Sequence, residues 1–232
     1  MSPEILQALQ KLSSLLDRDD SFERTLSTVV DLSVSTLSAC DSAGVTLRTE
    51  DGVDVTAAAS DDYALELDKI QYELDDGMCL TALVTGERQE IPAVSEETRW
   101  PEFCRRAGAS GFRSGASFPL SLNGTAGALN LYSRSERAFD DATIAIAQIF
   151  AAQAEIALQN ARLYAAARRL GDQLNDALKS RDLIGQAKGI LMERENISDP
   201  EAFEMLKRIS QQSNVKLRDI AVRLVEERGR EH

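Results

Sequence analysis

Leu178-Lys179-Ser180-Arg181-Asp182-Leu183-Ile184-Gly185-Gln186-Ala187-Lys188-Gly189-Ile190-Leu191 is the stretch on which the architecture turns. Its apolar residues recur at three- and four-residue steps, the period of a helix. Seven-residue steps run out of it toward the N-terminus, through Ile149, Ile156, Leu163, Leu170, Ala177, Ile184 and Leu191. A second row interleaves with the first: Ile146, Gln153, Asn160, Ala167, Leu174, Arg181 and Lys188. This is a heptad pattern, with the first row at d and the second at a. No proline stands between Pro119 and Pro200, and from Asp140 onward the chain is rich in good helix formers. The expectation is one helix reaching about Glu195, roughly 80 Å long at 1.5 Å per residue.

A helix of that length needs a partner. Over 144–158, Phe150, Ala151, Ala154 and Ala157 widen the apolar face, so that part is expected to pack on its own domain. Beyond Gln159 the stripe narrows to a coiled-coil seam. Ile149, Ile156, Asn160, Leu163, Leu170 and Leu174 are the expected seam of a parallel homodimer, and Asn160 at an a position suits a two-stranded register. Gly171 costs about 1 kcal/mol against Ala, whether as a hinge or as a neutral surface residue. Arg181 and Lys188 bring charge onto the a row, so paired helices should splay there, while Ile184 and Leu191 carry the d row into a core.

Downstream, Ser198-Asp199-Pro200-Glu201 is a helix start, with Ser198 as cap, Glu201 completing a capping box and Pro200 in the first turn. Ala202, Phe203, Leu206 and Ile209 read as its apolar face, and Asn214 can close it. A last helix from about Lys216 carries Leu217, Ile220, Ala221, Leu224 and Val225. These stripes can close on Leu183, Ile184, Ala187, Ile190 and Leu191 as a three-helix cluster.

Upstream, Pro3 and the run Ile5, Leu6, Leu9, Leu12, Leu15 and Leu16 predict an N-terminal helix, broken at Asp17-Arg18-Asp19-Asp20. Ser21 can cap a second, with Phe22, Leu26, Val29, Val30, Leu32 and Leu37 on one face. Residues 43–49 and 53–59 predict a hairpin around Glu50-Asp51-Gly52. Residues 114–122 and 125–133 predict another around Asn123-Gly124. Between the hairpins, 77–83 reads as a short helix, 88–91 as a short strand and Trp100-Pro101 as another helix start. The fold class is α+β: an antiparallel sheet with helices expected on one side, a long connecting helix and a C-terminal three-helix module.

Composition narrows the function. The only histidine of the 232 residues is His232, which removes histidine-based zinc sites, a Ser-His-Asp triad and histidine-ligated haem. Cys40, Cys79 and Cys104 are odd in number and widely spaced, against both a disulfide framework and a metal cluster. No catalytic residue, metal or cofactor is expected. No run of 18 apolar residues and no signal-peptide pattern occurs, so no membrane partner is expected and the cytoplasm is the default location. Net charge is −12, yet residues 180–232 hold ten basic and ten acidic residues, so the acidic excess lies entirely before them. A neutral tail on an acidic body leaves room for nucleic-acid binding by the tail alone.

Residues 26–159 resemble a GAF domain, a small-molecule sensor fold. The resemblance rests on the 77–83 turn and helix, Arg99-Trp100-Pro101, Phe118-Pro119-Leu120 and the run Gly127-Ala128-Leu129-Asn130-Leu131-Tyr132. It implies a ligand between the sheet and the connecting segments, with Cys79, Trp100, Phe103 and Phe118 as pocket candidates and an unidentified small-molecule effector. Trp100 is equally a packing residue, and Cys79 a small buried apolar one. The cyclic-nucleotide signature is incomplete, because Phe139 is followed directly by Asp140-Asp141 and the Asn-Lys pair is missing. Bilin attachment lacks its histidine.

Residues 172–232 are similar to an ANTAR domain. The likeness is carried by Ser180-Arg181, Ile184, Gln186-Ala187-Lys188-Gly189-Ile190-Leu191-Met192, Ala202-Phe203, Leu206, Lys216-Leu217 and Ile220-Ala221. Phe203 stands where the family usually has tyrosine, an exchange that suggests a packing role. The resemblance implies binding of paired RNA stem-loops by a dimer and action on transcription termination. Arg181, Gln186, Lys188 and Gly189 are its expected RNA-binding residues, and Arg208, Lys216 and Arg218 are basic candidates beside them. Ion pairing of these cations with Glu193, Glu204 or Asp219 is the competing reading. The expected organisation is an N-terminal helix over 1–25, a sensor over 26–159, a coiled-coil linker over 160–178 and the output module. The alternatives are a DNA-binding regulator and a thiol-based redox sensor.

Overall fold

The computed structural model describes residues 6, 7, 10, 22–122 and 124–230. Most of the expected N-terminal helix over 1–25, the cap Ser21, the turn residue Asn123 and His232 lie outside the described residues. The chain divides into two units, Met1–Ala165 and Ala166–His232.

In the first unit, helix α1 (Phe22–Thr36) leads into hairpin β1 (Ser42–Arg48) and β2 (Asp54–Ala59). Helices α2 (Asp62–Leu74) and α3 (Met78–Thr85), strand β3 (Gln89–Ile91) and helix α4 (Pro101–Ala109) follow. The second hairpin is β4 (Ser114–Leu122) with β5 (Thr125–Ser133). The sheet is antiparallel in the order β2-β1-β5-β4-β3, with β5 pairing Asn130 to Gly44 on one side and to Ser117 on the other.

Helices were expected on one side of this sheet; they cover both. On one face, Val45, Ala116, Phe118, Leu120, Leu129 and Leu131 meet α1 and the start of α5 (Asp141–Glu195) through Val29, Val30, Ala147, Phe150, Ala154 and Leu158. The other face carries Tyr132 and Ala128 under α2, α3 and α4. The reason is visible in β5, where every residue from Gly127 to Ser133 is buried. A strand buried on both of its alternating faces needs a layer over each.

Helix α2 is absent from the sequence reading, though Ala64, Leu67, Ile70 and Leu74 have helical spacing. Asp61 caps it by accepting from the Ala64 N–H at 2.9 Å.

The first part of α5 also closes the end of the sheet. β3 covers β4 only as far as Ser117, leaving the backbone beyond it unpaired on that edge. Side chains of α5 satisfy part of it: Ser121 N–H donates to Glu155 at 3.0 Å, Gln159 donates to Ser121 O, and Arg162 donates to Leu122 O at 3.1 Å. An edge capped in this way does not offer itself to another strand.

Helix α5 runs unbroken through Gly171, whose Cβ position is open space. An 18-residue window in it has a mean hydropathy of 1.2, enough by length and composition to cross a membrane. Ile144, Ala147, Phe150, Ala151, Ala154 and Leu158 of this helix are spent on the sheet, and 39 % of that window is buried. In the second unit the C-terminal part of α5 meets α6 (Asp199–Ser213) and α7 (Leu217–Arg230). The capping box of Ser198 and Glu201 forms, and Asn214 ends α6 at φ 54°. Ala187, Leu191, Ala202, Leu206, Ile220 and Ala221 make the core, with Leu183, Ile184 and Leu224 packed around it.

Candidate functional site

The first unit holds a polar layer on the sheet face beneath α2 and α3. Asp68 of α2 is fully buried. Its carboxylate accepts from Thr56 at 2.8 Å, from Asn130 Nδ2 at 3.1 Å and from Tyr132 OH. Asn130 Nδ2 also reaches Thr46 Oγ1 and Cys79 Sγ, both at 3.1 Å, and its oxygen accepts from Ser117 at 2.7 Å. Tyr72 OH shares 2.9 Å hydrogen bonds with Thr46 and Thr56. Gln71 donates to Tyr132 OH at 3.2 Å and accepts from the Cys79 N–H at 2.8 Å. Among the described residues, the one buried side-chain oxygen without a partner is Tyr63 OH, outside this layer.

Gly44 makes room for the layer, since a Cβ there would lie 2.9 Å from Asp68 Oδ2. No cation is among the groups that set the proton affinity of Asp68; burial pushes its pKa up to about 6, against the pull of its three donors. Burial also raises Cys79, Tyr72 and Tyr132, so the layer's other titratable groups stay neutral.

The four expected pocket residues are not brought together. Cys79 belongs to the polar layer, donating to Thr46 at 3.2 Å. Trp100 and Phe103 lie in the apolar cluster beside it, Trp100 donating to Thr81 at 3.2 Å with the Arg99 guanidinium 4.2 Å above its ring. Phe118 is a correction: it points to the opposite face, against α1 and α5, because it is an even-numbered residue of β4 like Ala116 and Leu120. The face where a ligand was expected carries the polar layer and the apolar clusters beside it. A surface cleft of about 420 Å³ borders the cluster that holds Cys79, lined by Leu83, Gly86, Pro119, Thr125, Ala126 and Glu155. The sequence reading missed Asp68, Gln71 and Tyr72 along with their helix. The available signal was an acid next to Leu67 and four residues after Ala64, on the apolar stripe.

The thiols are poorly placed for redox sensing. All three are free and buried. Burial raises Cys40 to about 12 and Cys104 to about 11. The thiolate that reacts with oxidants is disfavoured at each.

On α5 a seven-residue row of alanines outside the two heptad rows packs inward, and the first heptad row faces out. Ala147, Ala154 and Ala161 are buried. Two residues further on, about 200° around the helix, Ile149, Ile156 and Leu163 stand open. Leu170 of the same row, Leu174 of the second row and Leu178 beside Ala177 are also open; these six are between 45 % and 61 % exposed. Asn160 is half-buried.

In the second unit, Arg181, Gln186 and Gly189 are exposed. No neighbour comes within 4 Å of a Cβ placed at Gly185 or Gly189. Lys188 is only 22 % exposed and pairs with Asp199, on the first turn of α6, at 2.5 Å. That partner is none of the three acids weighed from sequence, because Asp199 becomes its neighbour only once α6 folds back. Arg208, Lys216 and Arg218 are exposed. Ile184 and Leu191 turn into the module's core, the first half-buried and the second buried. Phe203 and Ile209, expected in the apolar face of α6, are instead 40 % and 39 % exposed. Ala202, Met205 and Leu206 supply that face, and Phe203 is turned about 100° from Ala202.

A two-faced antiparallel sheet with a closed polar interior, followed in sequence by a small aliphatic three-helix module with outward cations, is the build of a sensor-and-output regulator. Residues 19–159 match the sequence model of the GAF domain, and residues 172–225 that of the ANTAR domain. The chain belongs to the GAF domain family and carries a C-terminal ANTAR domain. That pairing is a signal-regulated, RNA-binding antitermination regulator.

Solved structures share the sensor fold. The GAF domain of an Acinetobacter phosphoenolpyruvate-protein phosphotransferase superposes with a TM-score of 0.54 at 17 % identity, over 70 % of this chain and 97 % of that one. A phycoerythrobilin-bound GAF domain from a cyanobacterial phytochrome gives 0.54 at 14 % identity, over 70 % and 98 %. The free methionine-R-sulfoxide reductase of Neisseria meningitidis, in complex with its substrate, gives 0.53 at 16 %, over 68 % and 90 %. At these identities the likeness is one of fold. No curated protein sequence matches the chain.

Proposed function

We propose that this protein is a cytoplasmic antiterminator that binds paired RNA stem-loops as a homodimer, joined through the open heptad row of α5 and controlled by its GAF domain. The observation that carries the reading is the division of the ANTAR motif. Ile184, Ala187 and Leu191 are spent on the module's core, while Arg181, Gln186 and Gly189 face solvent. Residues not used for folding are the ones free to meet a partner. Arginine and lysine neutralise phosphates, and arginine planes and side-chain amides read unpaired bases. Arg208, Lys216 and Arg218 extend the same chemistry.

The open row supports the dimer. Six half-exposed Ile and Leu side chains per chain, buried against six from a second copy, contribute of the order of 10 kcal/mol gross. That is comparable with the cost of association. A signal at the GAF domain acts by favouring one dimer arrangement over another, since an effector shifts an equilibrium only by its differential affinity.

The test is fluorescence anisotropy of the full chain with an RNA bearing two tandem stem-loops, at stepped salt concentrations. Affinity that falls with salt and resists duplex DNA competitor is the expected result. Equal competition by duplex DNA would favour a DNA regulator instead, and salt-independent or absent binding would sink the reading.

A further inference from the structure

Phe203 is the lone aromatic residue after Tyr164. The module it belongs to has an entirely aliphatic core, and Phe203 is not in it. A buried phenylalanine contributes more to such a core than any of the residues found there, yet this one stays 40 % exposed. Packing within the module therefore does not account for an aromatic at this position.

Two lysines lie near it in ion pairs with acids of α6. Asp199, one turn before it on the same helix face, holds Lys188 Nζ at 2.5 Å. Lys207, one turn after it, is held by Glu204 at 3.2 Å. Both carboxylates are more than half exposed, and an exposed pair is worth little, so a competing anion can replace them. The face thus presents a flat apolar ring between Asp199, which holds the Lys188 ammonium, and Lys207, each four residues or about 6 Å along the helix from it.

We propose that Phe203 is the platform on which one unpaired RNA base stacks, with Lys188 and Lys207 taking the phosphates on either side of it. The inference rests on the RNA-binding reading above and adds the class of contact: a splayed loop nucleotide, recognised by its face. Base–aromatic stacking tolerates any base, so Phe203 supplies affinity, while sequence is read by others such as Gln186 and Arg181. Phosphate capture gives the salt dependence, and stacking does not.

The experiment compares full-length native protein with Phe203→Leu and Phe203→Trp on the tandem stem-loop RNA. Each RNA is made intact and with the base removed at each unpaired loop position in turn. Phe203→Leu is expected to weaken binding roughly 5- to 100-fold without changing the salt slope, and Phe203→Trp to keep native affinity. At one loop position, removing the base should cost the native protein affinity and cost Phe203→Leu almost none, the signature of a direct contact. Helicity and melting temperature should be unchanged in both variants. If Phe203→Leu binds within twofold of native, or its loss adds fully to base removal at every position, the inference is overturned while the RNA reading stands. If the native chain binds no RNA in a salt-dependent way, both fall.

Discussion

Lys188 Nζ lies 2.5 Å from Asp199 Oδ1, joining the end of α5 to the first turn of α6. The lysine side chain is 22 % exposed and the aspartate side chain 58 %. On the RNA-binding proposal, Asp199 competes with an RNA phosphate for Lys188. Asp199→Asn should raise RNA affinity up to about fivefold, the worth of one exposed ion pair. It should lower the melting temperature slightly, because α6 loses an acid at its positive end. Lys188→Ala should weaken binding and reduce the slope of log affinity against log salt by about one. Anisotropy titrations and thermal melts check all three; an unchanged slope in Lys188→Ala would remove Lys188 from the interface.

Asp68 makes the sensor's stability depend on pH. Its pKa rises from 3.8 in the unfolded chain to about 6 in the folded one, so the folded state holds the proton more tightly. The contribution is fully present below pH 4 and is lost as pH rises through about 6. Asp68→Asn keeps the shape and removes the buried charge. It should stabilise the protein at pH 7.5 by roughly 1–3 kcal/mol and flatten the dependence between pH 4 and 6. Asp68→Ala should destabilise instead, because it strands Thr56, Asn130 and Tyr132. Urea denaturation of each variant at pH 5 and pH 7.5 measures both signs.

Gly44→Ala should cost roughly 1–3 kcal/mol, because its Cβ would meet Asp68 Oδ2 at 2.9 Å within a close-packed layer. The double variant Gly44→Ala/Asp68→Ala should lose less than the sum of the two single losses, since the atom in the way is gone. Denaturation midpoints give the coupling directly.

The thiols should be inert in the folded protein. Iodoacetamide at pH 7.5 should label none of Cys40, Cys79 and Cys104 until denaturant is added, as their burial and raised pKa values require. Mass spectrometry of the labelled chain decides it, and rapid native-state labelling of Cys79 would revive a redox role.

Leu163→Asp with Leu170→Asp places two charges on the open row without touching the sheet-packed row. Sedimentation equilibrium should show a dimer for the native chain and a monomer for the variant. The variant should keep its sensor melting transition and lose affinity for paired stem-loops more than for a single one.

Periodicity made much of the architecture legible. The β4–β5 hairpin, the length of α5 and the Ser198 capping box each follow from a local rule: a turn dipeptide, a run without proline, a cap with its acid three residues on. The side of the sheet on which Phe118 falls was fixed by alternation with Ala116, yet which side met the ligand layer was not. That depends on which helices return to cover each face. Helix α2 escaped notice because a buried Asp68 and Gln71 break its apolar stripe, and a local reading takes polar residues as surface.

The sequence by itself determined that a heptad row runs the length of α5, that Arg181 and Lys188 bring charge onto the row interleaved with it, and that a short capped helix follows. These are properties of residues a few positions apart. Only the tertiary structure decided that Asp68, Thr56, Asn130 and Tyr132 share one closed network, that Lys188 meets Asp199, and that Phe203 is left outside its core. Each of these turns on where distant segments come to rest. A charge or an aromatic ring takes its energy from what surrounds it, and the surroundings exist only once the chain has folded.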